Sequence, residues 1–186
     1  MISSLEDAWR WYGSVRTLTS QMDRLGRKYW DREELAPLLA RDNHFRSVRA
    51  SQLQESATAI LGDLDDLAVL LMFSVFEAMV RSQAELDVVR SLPKRLHPAL
   101  ADAVEDLKED LRSGSFGRVT KRFQSIDSNL IEEVNQVRRY RNWVAHGRHG
   151  AQPAAVTPEK AYDRLTRFLK RMAEVAVIPA DDSDGS

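Results

Sequence analysis

Residues 64–82, LDDLAVLLMFSVFEAMVRS, constrain the fold more than any other stretch of the chain. Wound into a helix, their apolar groups cover most of the circumference, and Asp66, Ser74, Glu77 and Arg81 align in a narrow polar strip. A rod of this kind must be covered by neighbours, so the sequence predicts a central helix with others packed around it. It does not predict a membrane span. The longest apolar run, Leu67 to Phe76, is interrupted by Ser74 and followed by Glu77, well short of the roughly 20 residues a bilayer requires.

The remainder reads as helix as well. Prolines fall only at 37, 93, 98, 153, 158 and 179, and no run alternates β-branched with polar residues. A chain of 186 residues is about one domain's worth. The expectation is an all-α bundle of four to five long helices forming one domain over 1–178, with 1–60 as its N-terminal helical part. The apolar-free segment after Pro179 is expected to be a disordered acidic tail over 179–186. A first helix should run from Leu5 to Tyr29, with Trp9, Val15, Leu18, Met22 and Leu25 at helical spacings. Asp31 and Glu34 resemble a capping box for a short helix disturbed by Pro37, and 41–50 looks irregular. Pro93 and Pro98 mark a break before a helix carrying Leu100, Val104, Leu107 and Leu111, closed by Ser113-Gly114-Ser115. The next helix should start at Asp127 or Ser128 and end at Gly147, a residue suited to a left-handed cap. Thr157-Pro158-Glu159 then reads as N-cap, N1 proline and first-turn acid. Its core stripe is Ala161, Leu165, Phe168, Leu169, Met172 and Val175.

Composition narrows the chemistry. With no cysteine, disulfide scaffolds, zinc fingers, thiolate nucleophiles and iron–sulfur clusters are excluded, which fits a reducing compartment. Residues 1–30 carry Glu6, Asp7, Arg10 and Arg16 among their apolar positions, so no signal-peptide core is present and a cytoplasmic protein is expected. A net charge of -1 and pI near 6.4 argue against a broad electrostatic grip on duplex nucleic acid, though not against a local basic cleft. No glycine-rich phosphate loop, serine elbow or metal-ligand spacing occurs, so no metal and no cofactor are expected. His44 and His97 stand alone.

Residues 135–148, NQVRRYRNWVAHGR, are the exception. On a helix, Leu130, Val137, Tyr140 and Val144 share one arc, the core face. Asn135, Arg138, Asn142 and His146 line another, with Arg141 on the border. Arginines can take a phosphate bidentately, and a histidine at the negative end of a helix can carry protons to and from a reacting oxygen. That combination suffices for RNA transesterification without metal. The same stripe would also serve as a solvated face on which arginines and Glu132 or Glu133 keep the helix soluble. Glu77 is likewise open to two readings: a carboxylate that orients Arg141 or the histidine, or one half of an i,i+4 pair with Arg81. Trp143 reads as packing rather than as a stacking platform for bases.

The wording YRNWVAHG, with Arg141, Asn142 and His146 near the end of a helix and the SVFEAMVRS helix upstream, resembles the HEPN (higher eukaryotes and prokaryotes nucleotide-binding) family. The resemblance covers roughly residues 63–175; residues 1–60 lie outside it. It implies a metal-independent endoribonuclease of a prokaryotic toxin–antitoxin, abortive-infection or other antiviral defence system. It further implies a homodimer in which two motif helices meet at one composite cleft. Arg141 would stabilise the phosphate, Asn142 would position it, and His146 would act on the 2′-hydroxyl or the leaving oxygen. The product would be a 2′,3′-cyclic phosphate. Arg138, Glu77 and Arg148 are the supporting candidates. One subset of the family carries a tyrosine two residues after the histidine as the target of a nucleotidyltransferase antitoxin. Here that position is Arg148, so restraint by another antitoxin or defence-system subunit is expected instead. The alternatives are a non-catalytic helical interaction module and a nucleotide-binding accessory subunit.

Overall fold

A computed structural model describes residues 2–92, 97–120, 123 and 126–176. Seven helices and no strand occur among them: α1 (Leu5–Lys28), α2 (Ala36–Arg41), α3 (Ala50–Ser91), α4 (Pro98–Ser113), α5 (Phe116–Thr120), α6 (Ser128–Ala145) and α7 (Pro158–Ala176). The central helix is longer than the sequence pattern suggested. α3 runs for 42 residues, about 63 Å at 1.5 Å per residue, and α1, α6 and α7 all pack against it. Val69, Met72, Phe73, Phe76 and Val80 of the predicted rod are fully covered. Phe73 and Phe76 meet Phe116 and Phe168 edge-on, with ring centroids 5.4 to 5.8 Å apart, a geometry that places ring edges against ring faces.

Local signals explain most boundaries. Ser4 and Asp7 form a capping box at the start of α1: Asp7 N donates to Ser4 Oγ at 3.0 Å and Ser4 N to the Asp7 carboxylate at 3.2 Å. The Ser4 hydroxyl first, then the Ser3 N–H, hold the Asp7 carboxyl below its usual range. The buried side of α1 is Leu5, Ala8, Tyr12, Thr19 and Gly26, while Leu18 and Met22 face outward. The small residues set that choice, because α1 and α3 approach closely: a Cβ on Gly26 would lie 2.9 Å from Gln54 Cγ and 3.2 Å from the Ala50 carbonyl. Trp9 stacks on Tyr162 at 4.9 Å and ties α1 to α7.

Asp31 and Glu34 do not cap a helix. α2 begins after Leu35 without a side-chain cap, and Pro37 sits in its first turn, where a missing N–H costs nothing. Pro37 therefore opens this helix rather than disturbing it. α4 occupies its expected span, but Leu111 is buried whereas Leu100 is 54% exposed, so the apolar stripe is used only toward its end. α5, absent from the sequence reading, seats Phe116 and Val119 in the core. α6 starts behind Asp127, whose carboxylate accepts from Asn129 N at 2.8 Å. α7 opens at Thr157-Pro158 and buries Ala161, Leu165, Phe168 and Met172. The break at Pro93 and the tail 179–186 lie outside the described residues.

Candidate functional site at the end of α6

The core side of α6 is Leu130, Val134, Val137 and Tyr140, which sets the orientation of everything else on the helix. Asn135, Arg138, Arg141 and Asn142 fall half-buried beside it, and His146 is exposed. The helix stops in a two-bond C-terminal motif. Gly147 N donates to Val144 O at 3.0 Å and Arg148 N to Trp143 O at 2.8 Å. Gly147 takes φ 73°, the left-handed conformation that glycine adopts without a Cβ penalty. His146 is thus the C-cap residue, its N–H bonded to Asn142 O at 3.0 Å, with its imidazole projecting where the chain turns away.

Arg138 and Arg141 are set apart by desolvation: the Nε of each is cut off from solvent without an acceptor, and neither makes an ion pair with a described residue. The Arg141 guanidinium lies 5.9 Å from the Phe73 ring centroid and donates through Nη1 to Asn142 Oδ1 at 3.1 Å. Arg138 Nη1 approaches Gly117 on α5. The intervening Arg139 points away and pairs with Glu132. Two fixed, half-desolvated guanidiniums and an amide therefore stand in one strip on the helix that ends at an imidazole, about 7–8 Å along the axis from Arg141 to His146 at 1.5 Å per residue.

Two supporting candidates are engaged elsewhere. Glu77 accepts from Arg81 Nε at 3.1 Å, and Arg81 Nη1 donates on to Leu111 O at 2.8 Å. Its carboxylate holds α4 to α3 through Arg81. It lies eleven residues along α3 from Asp66, the residue bonded to the chain after His146, which is roughly 16 Å. The i,i+4 pairing is the arrangement found, and Glu77 does not orient His146. Arg148 is locked too: its guanidinium faces Asp66, with Nε at 3.1 Å, and Asp63 at 3.4 Å. Trp143 packs against the core near Tyr140, ring centroids 5.9 Å apart.

Asp66 is the residue that sequence reading undervalued. It accepts from the buried Tyr140 hydroxyl at 2.6 Å as well as from Arg148, so one carboxylate grips α6 before His146 and the chain after it. Burial, then the Asp66 bond, push the Tyr140 phenol up to about 12. Arg148 has φ 61°, a left-handed conformation costing a non-glycine residue about 1–2 kcal/mol, and the Asp66 bond helps hold it there. His149 was also missed; its ring packs over Gly147, 3.5 Å from where a Cβ would stand. The HGRHG wording carried that second imidazole in plain view. Among the described residues no three metal-ligating side chains converge, and no helix is long and apolar enough to cross a membrane. The chain matches no family model, no curated protein and no solved structure.

Proposed function

We propose that the chain is a HEPN-type, metal-independent endoribonuclease of a prokaryotic defence or toxin–antitoxin system, acting on RNA as a homodimer in the cytoplasm. The observation that carries this reading is the pair Arg138 and Arg141: two half-buried guanidiniums without a carboxylate, on the strip that ends at the exposed His146. Half-buried cations favour a charged partner, and a phosphodiester supplies one with matching fork geometry. In the reaction, the 2′-oxygen attacks phosphorus, the P–O5′ bond breaks and a 2′,3′-cyclic phosphate remains. Arg141 and Arg138 stabilise the charge on the phosphoryl oxygens, Asn142 positions them, and His146 takes the 2′-hydroxyl proton or delivers one to the 5′-oxygen.

The step needs a proton acceptor and a proton donor. One His146 per chain favours a site completed by a second copy, related by a two-fold axis. Exposed apolar residues recur along one side of α1 (Trp11, Leu18, Met22) and of α3 (Ile60, Leu67), the kind of surface that a partner covers. The same surface supports the second reading, a non-catalytic docking module. Incubating the purified protein with end-labelled RNA in EDTA separates the two. Cleavage leaving a 2′,3′-cyclic phosphate, lost in His146→Ala with the helical circular-dichroism signal intact, is the expected result. Cleavage that persists in His146→Ala, or that needs magnesium, removes the assignment.

A further inference from the structure

The segment from the last turn of α1 to the start of α3 is net basic. Residues 24–49 hold seven Lys and Arg against four Asp and Glu, in a protein whose net charge is -1. All seven cations, Arg24, Arg27, Lys28, Arg32, Arg41, Arg46 and Arg49, are exposed. Among the described residues only Arg27 of these finds an ion-pair partner, Asp23 at 2.8 Å. Aromatic rings stand among them. The Arg32 guanidinium lies 4.7 Å from the Tyr29 ring centroid, Arg24 Nη2 donates to the Tyr29 hydroxyl at 3.2 Å, and Trp30 meets Phe45 edge-on at 6.0 Å. The first of the Tyr29 contacts in strength, the bond from Arg24, pulls its phenol below the usual range.

The position of this surface matters as much as its charge. Arg49 immediately precedes α3, and Asp63, which contacts Arg148 just past His146, lies fourteen residues further along that helix, about 20 Å. The basic end of the α1–α3 pair and the end of α6 therefore lie along the same half of α3. We infer that residues 24–49 form a second anion-binding surface, which grips the backbone of single-stranded RNA on one side of the position cut at His146. Unpaired arginines interleaved with aromatic rings suit a flexible strand, whose phosphates take the guanidiniums and whose bases stack on rings. The inference rests on the ribonuclease reading of the α6 site.

Binding, not cleavage, is the test. His146→Ala protein keeps RNA uncut, and fluorescence anisotropy with a labelled oligouridylate of about 12 nucleotides, within the span of such surfaces, gives affinity across a salt series. Adding Arg32→Gln, Arg41→Gln and Arg46→Gln, all on exposed residues, should weaken binding at least tenfold at low salt. The slope of log affinity against log salt should shrink by about 2, from roughly 0.7 per phosphate contact on a single strand. An unchanged affinity and slope, with the thermal midpoint also unchanged, overturns the inference. So does displacement of the RNA by polyglutamate at equal charge, which would assign the surface to an acidic protein. Because the cleavage site is already disabled, either failure leaves the His146 assignment standing. Absence of cleavage by the unmodified protein, with salt-dependent binding retained, removes that assignment alone.

Discussion

Asp66→Ala should be the most damaging single substitution on the polar side of α3. The carboxylate accepts from Tyr140 at 2.6 Å and from Arg148 Nε at 3.1 Å. Tyr140 is 9% exposed, so its hydroxyl loses a charged acceptor that water cannot replace, at a cost of about 1.5–3 kcal/mol. The Arg148 arm is half-exposed, and screening limits its share to about 0–1 kcal/mol. The total of roughly 1.5–4 kcal/mol should appear as a drop of about 3–16 °C in Tm for a chain of this size. Urea titration gives the free energy directly, and amide hydrogen exchange locates it. The Gly147 and Arg148 amides, which bond to Val144 O and Trp143 O, should exchange faster once the chain after α6 is released. In the Asp66→Ala background, Tyr140→Phe should cost nothing or restore stability, because it deletes the orphaned hydroxyl. A loss under 1 kcal/mol for Asp66→Ala, or a further loss on adding Tyr140→Phe, would refute the clamp.

Three further outcomes follow from the same geometry. Spectrophotometric titration should show Tyr29 ionising below the usual phenol range, and Tyr12 and Tyr140, raised by burial and then by bonds to Asp65 (2.8 Å) and Asp66, only at about 12. A phenol raised in the folded state contributes stability that is fully present below pH about 10 and is lost toward 12, so unfolding free energy should fall across that window and not below it. Arg148→Gly should be more stable than Arg148→Ala by about 1 kcal/mol, since both lose the Asp66 pair but only alanine keeps the left-handed strain at φ 61°; equal stabilities in urea would argue against a strained backbone there. Arg141→Met should abolish RNA cleavage yet leave Tm unchanged or raised by about 2–4 °C, and a Tm lowered by more than that would mean the guanidinium is structural.

The fold was legible wherever one short-range signal decided the outcome. Residues 64–82 specified a central helix because their apolar surface had to be covered, and Thr157-Pro158 specified where α7 starts because an N-cap followed by proline permits little else. Gly147 was readable for the same reason, since a left-handed cap is a local requirement. What failed depended on partners distant in sequence. Which side of α1 is buried was settled by the close approach at Gly26 to Ala50 and Gln54, and no spacing within 5–28 contains those contacts. Pro37 was read as a disturbance because the start of α2 is fixed by its flanking turns. Glu77 admitted two partners on paper, and the i,i+4 neighbour Arg81 took it. Asp66 showed nothing locally, since its partners Tyr140 and Arg148 lie 74 and 82 residues away.

Arg138 and Arg141 keep their Nε groups desolvated and unbonded, as do Trp143 Nε1 and Thr166 Oγ1, and an unmet buried donor costs about 1–3 kcal/mol. The contact of Arg141 with Phe73 returns only about 0.5–1 kcal/mol. Arg148, by contrast, sits in a conformation that costs energy but is held by Asp66 and Asp63. Asp66 and Asp63 thus fix the end of α6, and among the described residues no carboxylate pairs with the two arginines that precede it. Had Glu77 paired with Arg141 instead of Arg81, the strip would keep only the Arg138 charge to offer an anion. The acids around α6 frame the helix end and leave Arg138 and Arg141 without an ion pair among the described residues, the arrangement that the proposed binding of a phosphodiester would use.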